Sequence, residues 1–315
     1  FNGLIQMDFS YYHKKTVDLV NSVTLPSSTG FTSYKDNIGE VVNKGFEVQL
    51  RSTLLNTKEW YVAVFANLAH NENEITKISD SMKEYNRRVM DKYANYDTGY
   101  NKGDAAYADT YLQYVEGGSL TSIFAVKSLG INPANGREVF VRPDGTITYD
   151  WNAADQVVVG NQEPKIQGTF GFNLRWKQFS LFSTFLYECG GQRYNSTLVD
   201  KVENARIADG NVDRRVLTGR WQKPGDLAPY GRFTKGIVSV TRPTSRFVQD
   251  YNMLSFNSLT LGYDFDMAWM KKAHIGMLRA ELSGNDLFHL STVRIERGLD
   301  YPYARSFSAS LKVSF

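Results

Sequence analysis

The chain has 315 residues with nearly balanced charge, 36 Lys and Arg against 33 Asp and Glu, which leaves a formal net charge of +3. This balance excludes the strongly basic surface of a nucleic-acid-binding protein. A single cysteine, Cys189, excludes an internal disulfide and any cysteine-rich metal cluster.

Alternation of apolar and polar residues with a period of two recurs along the chain and is typical of strands with one apolar and one polar face. In chain order it predicts eight strands, at 5–11, 45–51, 60–71, 167–176, 179–187, 258–265, 278–283 and 306–315. Only two residues separate 167–176 from 179–187, which predicts a hairpin. The longest apolar run, 60–66, has seven residues, whereas a membrane-spanning helix needs about 20, so helical membrane proteins are excluded.

The connections between the predicted strands alternate in length. Those at 55–59, 177–178 and 266–275 are short, and those at 16–39, 72–165, 188–254 and 285–305 are long. If the strands run up and down, all short turns lie at one end and all long loops at the other. Outer-membrane barrels have short periplasmic turns and long extracellular loops, so the pattern indicates a transmembrane antiparallel β-barrel. The short-turn end also carries the aromatic residues expected of an interfacial girdle, namely Trp60, Trp176, Phe179 and Trp269.

A soluble all-β protein, with one face of each strand on a core, is the alternative interpretation. It would have to accommodate the roughly 90 residues of 72–165 in one connection, whereas loops beyond about 15 residues are uncommon in compact domains. Turn signals at 132–136 and 143–145 predict that this loop is ordered.

Short motifs follow one another along the chain, and singly each is weak. They are Asn43-Lys44-Gly45-Phe46-Glu47, Gly117-Gly118-Ser119, Gly130-Ile131-Asn132-Pro133, Asn135-Gly136, Val159-Gly160-Asn161, Pro164-Lys165, Gly190-Gly191-Gln192-Arg193-Tyr194-Asn195, Leu259-Thr260-Leu261-Gly262-Tyr263, Leu287-Phe288 and the terminal Phe315. In this order and spacing the chain resembles the C-terminal part of SusC-type (SusC/RagA-like) TonB-dependent transporters, the outer-membrane importers of Bacteroidetes. It departs from the family pattern at Ser255, where Arg is common, and at Asp286, where Asn is common.

The resemblance implies a fold and a domain organisation. Whole transporters of this type are similar to a barrel of about 22 strands with an N-terminal plug and a periplasmic segment that contacts TonB. Residues 1–315 are therefore expected to form the last eight strands of a larger barrel, with the plug and the N-terminal strands absent from this chain.

The resemblance also implies a function. It is TonB-dependent import of a large nutrient, an oligosaccharide or an oligopeptide, across the outer membrane of a Gram-negative, Bacteroidetes-type cell. The implied partners are a SusD-like lipoprotein over the long loops, the TonB-ExbB-ExbD system through the missing N-terminal region, and outer-membrane lipid. The mechanism needs no cofactor, no nucleic acid and no covalent step.

Three groups of residues are candidates for this function. Charged residues on the polar strand faces are expected either to line a water-filled lumen or to form cross-strand salt bridges; they are Glu47, Arg51, Arg175, Arg279 and Glu281. Loop aromatics are expected either to stack on sugar rings or peptide side chains, or to anchor the loops against a partner; they are Tyr149, Trp151, Trp221 and Tyr230. The closing strand resembles the signal that the outer-membrane assembly machinery reads, through Phe307, Leu311, Val313 and Phe315.

Other classes of function have less support. A free-standing small barrel with a structural or adhesive role is one alternative, although eight strands enclose a lumen only wide enough for side chains. A barrel hydrolase is another, and would have to combine His13 or His70 with a carboxylate such as Asp18 or Glu72. The histidines are otherwise dispersed and no nucleophile or phosphate-loop motif is present, so no enzyme is predicted.

The run Asp209-Gly210-Asn211-Val212-Asp213 has part of the spacing of a calcium loop. It lacks the turn glycine and the closing acidic residue that such a loop requires. We interpret it as a turn and predict no metal site.

Overall fold

The computed structural model describes residues 4–24, 33–37, 39–94, 108, 110–205, 207, 210–233, 240–294 and 304–315. The helices are α1 (Asp80–Ala94), α2 (Ser196–Leu198), α3 (Arg215–Thr218) and α4 (Ala268–Lys272), and a π-helical turn at Val199–Glu203 continues α2. Strands predominate. They are β1 (Ile5–Thr16), β2 (Val20–Thr24), β3 (Ser33–Asn37), β4 (Gly39–Asn56), β5 (Trp60–Ile78), β6 (Ser122–Ile131), β7 (Glu138–Val141), β8 (Ile147–Thr148), β9 (Gln156–Asn161), β10 (Ile166–Trp176), β11 (Phe179–Tyr194), β12 (Val248–Phe265), β13 (Met277–Ser291) and β14 (Ser306–Ser314).

Eight of these strands form one antiparallel sheet in the order β1-β4-β5-β10-β11-β12-β13-β14. Each of the eight predicted strands has its counterpart in this sheet, so the predicted fold class is confirmed. Chain neighbours among these strands are also neighbours in space, as in an up-and-down barrel wall. Within the described residues the sheet is not closed, because β1 and β14 form its two edges.

The connections lie where their lengths predicted. At one end, three residues join β4 to β5, two residues join β10 to β11, and a segment that contains α4 and Trp269 joins β12 to β13. Lys177 takes a left-handed conformation, with φ of 52°, in the two-residue turn, where Gly or Asn is usual. Ser314 pairs with Met277, so β14 also ends on the short-turn side.

Several strands are longer than predicted, and β4 and β5 reach 18 and 19 residues. In β5 the alternation disappears towards the long-loop end because residues 71–74 are polar on both faces of the strand. About 9–11 residues suffice for a strand to cross a bilayer, so these strands continue beyond the apolar band that follows the short turns.

The described parts of the first three long connections contain helices and strands. The 79–165 connection contains α1 and a four-stranded sheet in the order β8-β7-β6-β9, and β2 pairs with β3 in the first long loop. None of the helices in the described part of the chain has the length and hydrophobicity that a membrane crossing demands.

Candidate functional site: the two faces of the sheet and the loop assembly

One face of the eight-stranded sheet is apolar from edge to edge. Cross-strand register places Phe9, Val48 and Leu68 in one row of this face. The side chains are largely uncovered, and the exposed fraction reaches 60% at Leu282 and 74% at Phe307. Soluble monomers rarely expose a contiguous apolar surface that extends across eight strands, whereas a lipid-facing barrel wall requires one. The observed face therefore excludes the soluble all-β alternative, in which these residues would cover a core.

Aromatic rings form two rows across this apolar face. At the short-turn end, Trp60, Trp176 and Phe179 lie in series with ring centroids 5.6 and 6.0 Å apart. Nearer the long loops, Phe185 and Phe256 stack with centroids 4.4 Å apart and planes inclined by 8°. The first row lies where the interfacial girdle was predicted, and each such ring pair contributes about 0.5–1.5 kcal/mol beyond its burial.

The five charged residues predicted to line a lumen all lie on the opposite, polar face. Each alternates with an outward apolar neighbour, as Glu47 does with Phe46 and Arg175 with Leu174. Arg175 lies opposite Tyr61, with its guanidinium 5.9 Å from the ring centroid. The full set is Glu47 and Arg51 on β4, Arg175 on β10, and Arg279 and Glu281 on β13.

Arg279 and Glu281 belong to an ion-pair network on the polar face. Arg279 donates from Nε to Glu281 Oε1 at 2.8 Å and from Nη1 to both carboxylate oxygens of Asp264 at 3.1 Å. Its Nη2 donates to Ser180 Oγ at 2.8 Å, and Lys312 Nζ lies 2.8 Å from Glu281 Oε2. These contacts are the cross-strand pairs of the alternative interpretation, and they link β11, β12, β13 and β14.

The described segments of two long connections, 79–165 and 195–247, form hydrophobic cores of their own. In the first core, α1 packs on the small sheet through Val89, Tyr93, Val126, Phe140 and Trp151. A second core joins the segment around α2 to α3 and to the start of β12. The sequence analysis did not predict α1, although Met82, Val89 and Tyr93 on its buried face have helical spacing.

Two of the four predicted loop aromatics are buried. Trp151 is 8% exposed, and its Nε1 donates to the carbonyl oxygen of Pro243 at 2.9 Å. Tyr230 is 9% exposed and lies in the second core, where burial raises the pKa of its hydroxyl. Both residues therefore hold loop segments together, as the anchoring alternative expects, but in contact with this chain's own loops.

The other two loop aromatics are partly exposed. The hydroxyl of Tyr149 accepts a hydrogen bond from Asn132 Nδ2 at 2.5 Å, and Trp221 Nε1 donates to the carbonyl oxygen of Pro133 at 2.8 Å. Gly136 adopts a φ of 69°, and a Cβ there would lie 2.5 Å from the Trp221 ring. The turn at 132–136 is thus packed between the two rings.

A buried ion network ties three loop segments together. Arg246 Nη2 lies 2.8 Å from Glu138 Oε2 and 2.9 Å from Glu203 Oε1, and the three side chains are 10%, 10% and 7% exposed. Burial alone would lower the pKa of Arg246, but the two carboxylates outweigh it and raise that pKa above its ordinary value. Sequence analysis did not single out Arg246, because no local pattern marks which distant carboxylates a lone arginine will contact.

A polar notch of about 670 Å³ interrupts the wall at its long-loop end. It opens where β10 begins at Ile166, while its neighbours β5 and β11 continue further. His70 Nδ1 lies 2.5 Å from the carbonyl oxygen of Lys165, and its Nε2 lies 3.9 Å from Glu72, which pairs with Lys44 at 2.9 Å. The structure thus brings together His70 and Glu72 of the hydrolase alternative.

The other two residues of that alternative lie elsewhere on the rim. His13 pairs across the strands with Lys44, and Asp18 accepts a hydrogen bond from Asn37 at 2.7 Å. His70 and Glu72 are therefore engaged by a carbonyl and a lysine, with no hydroxyl or thiol side chain among the described residues that line the notch.

The closing strand lies at an edge of the sheet with its apolar side chains on the outward face. Phe307, Leu311, Val313 and Phe315 are 74%, 65%, 43% and 89% exposed. Their neighbour Lys312 lies on the polar face and pairs with Glu281. The strand predicted to be half apolar and half polar has this arrangement.

The calcium-like run is only partly described, since Asp209 lies outside the described residues. Asp213 accepts hydrogen bonds from Arg215 Nη2 at 2.7 Å and from the Arg215 backbone at 2.8 Å, and these lower its pKa to about 2. Over the described ranges, no group of three or more His, Cys, Asp or Glu residues is arranged to hold a metal ion.

An open antiparallel sheet with an uncovered apolar face, a polar face and long folded loops at one end defines a segment of an outer-membrane-type β-barrel. The chain is similar along its whole length to curated TonB-dependent receptors. It is 25% identical over 339 residues to TonB-dependent receptor P3 of Formosa agariphila, and the alignment covers 100% of this chain and 33% of that protein. It is 22% identical over 329 residues to TonB-dependent receptor SusC of Bacteroides thetaiotaomicron, and this alignment covers 100% of this chain and 30% of SusC. No family model matches the chain.

Solved structures show the same fold. The RagAB peptide transporter superimposes with a TM-score of 0.75 at 21% identity, covering 100% of this chain and 34% of that one. The 'open-open' state of the RagAB peptide importer superimposes with a TM-score of 0.73. The resemblance to SusC-type TonB-dependent transporters is thereby confirmed, and the similar proteins are receptors and transporters rather than enzymes. The chain spans about a third of the length of the curated relatives it matches.

Proposed function

We propose that this chain forms part of the wall and the extracellular loop assembly of a TonB-dependent outer-membrane importer. The observation that carries the proposal is the single sheet whose apolar face is uncovered on all eight strands while its loops sort by length between its two ends. The apolar face contacts outer-membrane lipid, and the polar face borders a water-filled passage. Residues 1–315 make up the C-terminal barrel segment, and the plug and further strands belong to the rest of the polypeptide.

The polar-face residues take their roles from this arrangement. Glu47, Arg51 and Arg175 border the passage directly. Arg279 and Glu281 border it as members of the ion-pair network, which holds four adjacent strands in register. Charges of both signs keep such a lumen hydrated without favouring one sign of cargo.

The long-loop end is the side of cargo capture. Tyr149 and Trp221 are partly exposed there and contact the cargo, whereas Trp151 and Tyr230 keep the loop assembly rigid around it. The cargo is a large nutrient, an oligosaccharide or an oligopeptide, and the match to a structure named as a peptide transporter supports the second class. A SusD-like surface lipoprotein covers this end, as the pairing in the name RagAB suggests.

The energy for import comes from TonB, ExbB and ExbD, which act through a segment outside this chain. No covalent step and no cofactor take part. The free-standing small barrel is less well supported, because β1 and β14 lie at separate edges of the sheet instead of pairing with each other.

Cysteine labelling of the full-length protein in intact outer membranes tests the two-faced wall. Cys189→Ser first removes the native thiol, and then Glu281→Cys on the polar face is compared with Leu282→Cys on the apolar face. A water-soluble maleimide reacts with the Glu281→Cys protein and not with the Leu282→Cys protein if the proposal holds. Equal labelling of both positions contradicts it. Cargo uptake that persists in cells without TonB contradicts the energised step.

A further inference from the structure

A cavity of about 610 Å³ lies in the loop assembly, a size within the range of small-ligand sites of roughly 300–1,000 Å³. Residues of β6, β7, the turn before Trp151 and the described positions 231–232 and 240–242 line it. Among its lining residues are the partly exposed Tyr149 and the three arginines Arg137, Arg232 and Arg242.

Two of these arginines stack on the aromatic rings of the cavity. The guanidinium carbon of Arg137 lies 4.7 Å from the ring centroid of Tyr149, and that of Arg242 lies 4.5 Å from the ring centroid of Trp151. A guanidinium that lies over a ring covers the face on which a sugar would stack, and it remains a donor of hydrogen bonds through its N–H groups.

The acidic residues of the cavity are either paired with a buried arginine or exposed to water. Glu138 and Glu203 both pair with the buried Arg246, and Glu203 also interacts electrostatically with the buried Arg220. Asp150 lies 3.8 Å from Arg137, but its side chain is 88% exposed. Exposed pairs of this kind are weak and exchange readily with water, so the guanidinium of Arg137 is available to a ligand.

We propose that this cavity is a subsite for a carboxylate of an oligopeptide cargo, bound by the N–H groups of Arg137 and Arg232. Guanidinium forks match carboxylates in geometry and form charge-assisted hydrogen bonds with them. The covered ring faces favour a carboxylate-bearing peptide over a neutral glycan. This subsite rests on the proposed importer function and adds a chemical class of cargo to it.

The test measures the binding of two fluorescent hexapeptides, one with two Glu residues and one with Gln at the same positions, to the full-length receptor in detergent. The wild type binds the Glu peptide at least about tenfold more tightly at low salt, the equivalent of one hydrogen bond to a charged group. Arg137→Gln and Arg232→Gln each remove most of this preference. Arg142→Gln is the matched control, because Arg142 lies in the same loop with 45% exposure against 47% for Arg137 but does not line the cavity.

Three results overturn the subsite: equal affinity of the wild type for the two peptides, an equal loss in the Arg142→Gln protein, or Arg137-dependent binding of a uronate oligosaccharide without binding of the acidic peptide. TonB-dependent uptake of the Gln peptide separates the two proposals. If that uptake is retained while the preference is absent, the subsite fails and the importer stands. If no TonB-dependent uptake of either peptide or of an oligosaccharide occurs in the wild type, the importer function itself fails.

Discussion

Arg246 Nη2 lies 2.8 Å from Glu138 Oε2, although the two residues are 108 positions apart in the chain. Arg246 precedes β12, a strand of the wall, whereas Glu138 begins β7 in the small loop sheet. The contact therefore attaches the folded loop assembly to the wall. Because the pair is buried, replacing one of its two partners alone is strongly destabilising.

We predict that Arg246→Met loosens the loop assembly and leaves the wall intact. Removing the guanidinium takes away the group that bridges the buried Glu138 and Glu203, which costs about 3–5 kcal/mol in comparable buried pairs. Amide hydrogen exchange of β6 and β7 should accelerate strongly, while that of β10 and β11 stays slow. Lys83→Met, which breaks an exposed pair with Asp80, is the control and should change nothing. Unaltered exchange in β6 and β7 of the Arg246→Met protein would show that the network does not anchor the loops.

The apolar face predicts opposite outcomes for two adjacent substitutions in β14. Phe307→Arg places a charge on the face proposed to contact lipid, at a cost of about 2–4 kcal/mol near the middle of a bilayer. Ser308→Arg places the same charge on the polar face and should be tolerated. The heat-modifiable mobility of the folded barrel on gels measures both. Similar folded fractions for the two variants would refute the assignment of faces.

Deletion of Phe315 should hinder insertion of the barrel more than transport by the barrels that do insert. The side chain is 89% exposed at the end of an edge strand, so its loss removes little packing from the folded state. The measurement is the amount of folded receptor in the outer membrane, together with cargo uptake per folded receptor. Phe315→Tyr keeps an aromatic end and should restore the yield. A normal yield after the deletion would disprove the assembly signal.

Asp213 should make the stability of its turn depend on pH in the acid range. Hydrogen bonds from Arg215 lower the pKa of Asp213 to about 2 in the folded protein, against about 3.9 in an unfolded chain. Its contribution is therefore complete above about pH 4 and is lost as the pH falls towards 2. Protection of the Arg215 amide against hydrogen exchange should decline over this window. In the Asp213→Asn protein, the protection of the Arg215 amide should be lower than in the wild type above pH 4 and should not change with pH below it. If the protection of this variant still declines between pH 4 and 2, a group other than Asp213 causes the decline.

The wall of the barrel was predictable because its signal is local. Alternation identified all eight strands of the sheet, and the two-residue separation of β10 and β11 located their hairpin. The end of β5 nearest the long loops was not predicted, since residues 71–74 are polar on both faces and the alternation is lost there. The helix α1 was not predicted for a different reason: only three of its residues, Met82, Val89 and Tyr93, are buried, which leaves a weak helical pattern within a long connection.

The residues of the candidate site also fall into a group that local sequence patterns predict and a group that they do not. The polar face of Glu47, Arg51 and Arg175 follows from alternation alone. Burial of Trp151 and Tyr230, by contrast, arises from contacts with segments far along the chain, such as the one between Trp151 and Pro243. No sequence pattern distinguishes these two rings from Tyr149 and Trp221, which stay partly exposed.

By itself, the order of residues determined which side of each strand is apolar, which end holds the long loops and which class of transporter the chain resembles. The first depends on spacing within a few residues, and the other two depend on the order and lengths of segments along the chain. Only the tertiary structure decided which aromatic rings are covered, which carboxylates Arg246 contacts and which arginines line the loop cavity. Those outcomes depend on side chains brought together from distant segments, because burial and charge pairing are properties of three-dimensional neighbours.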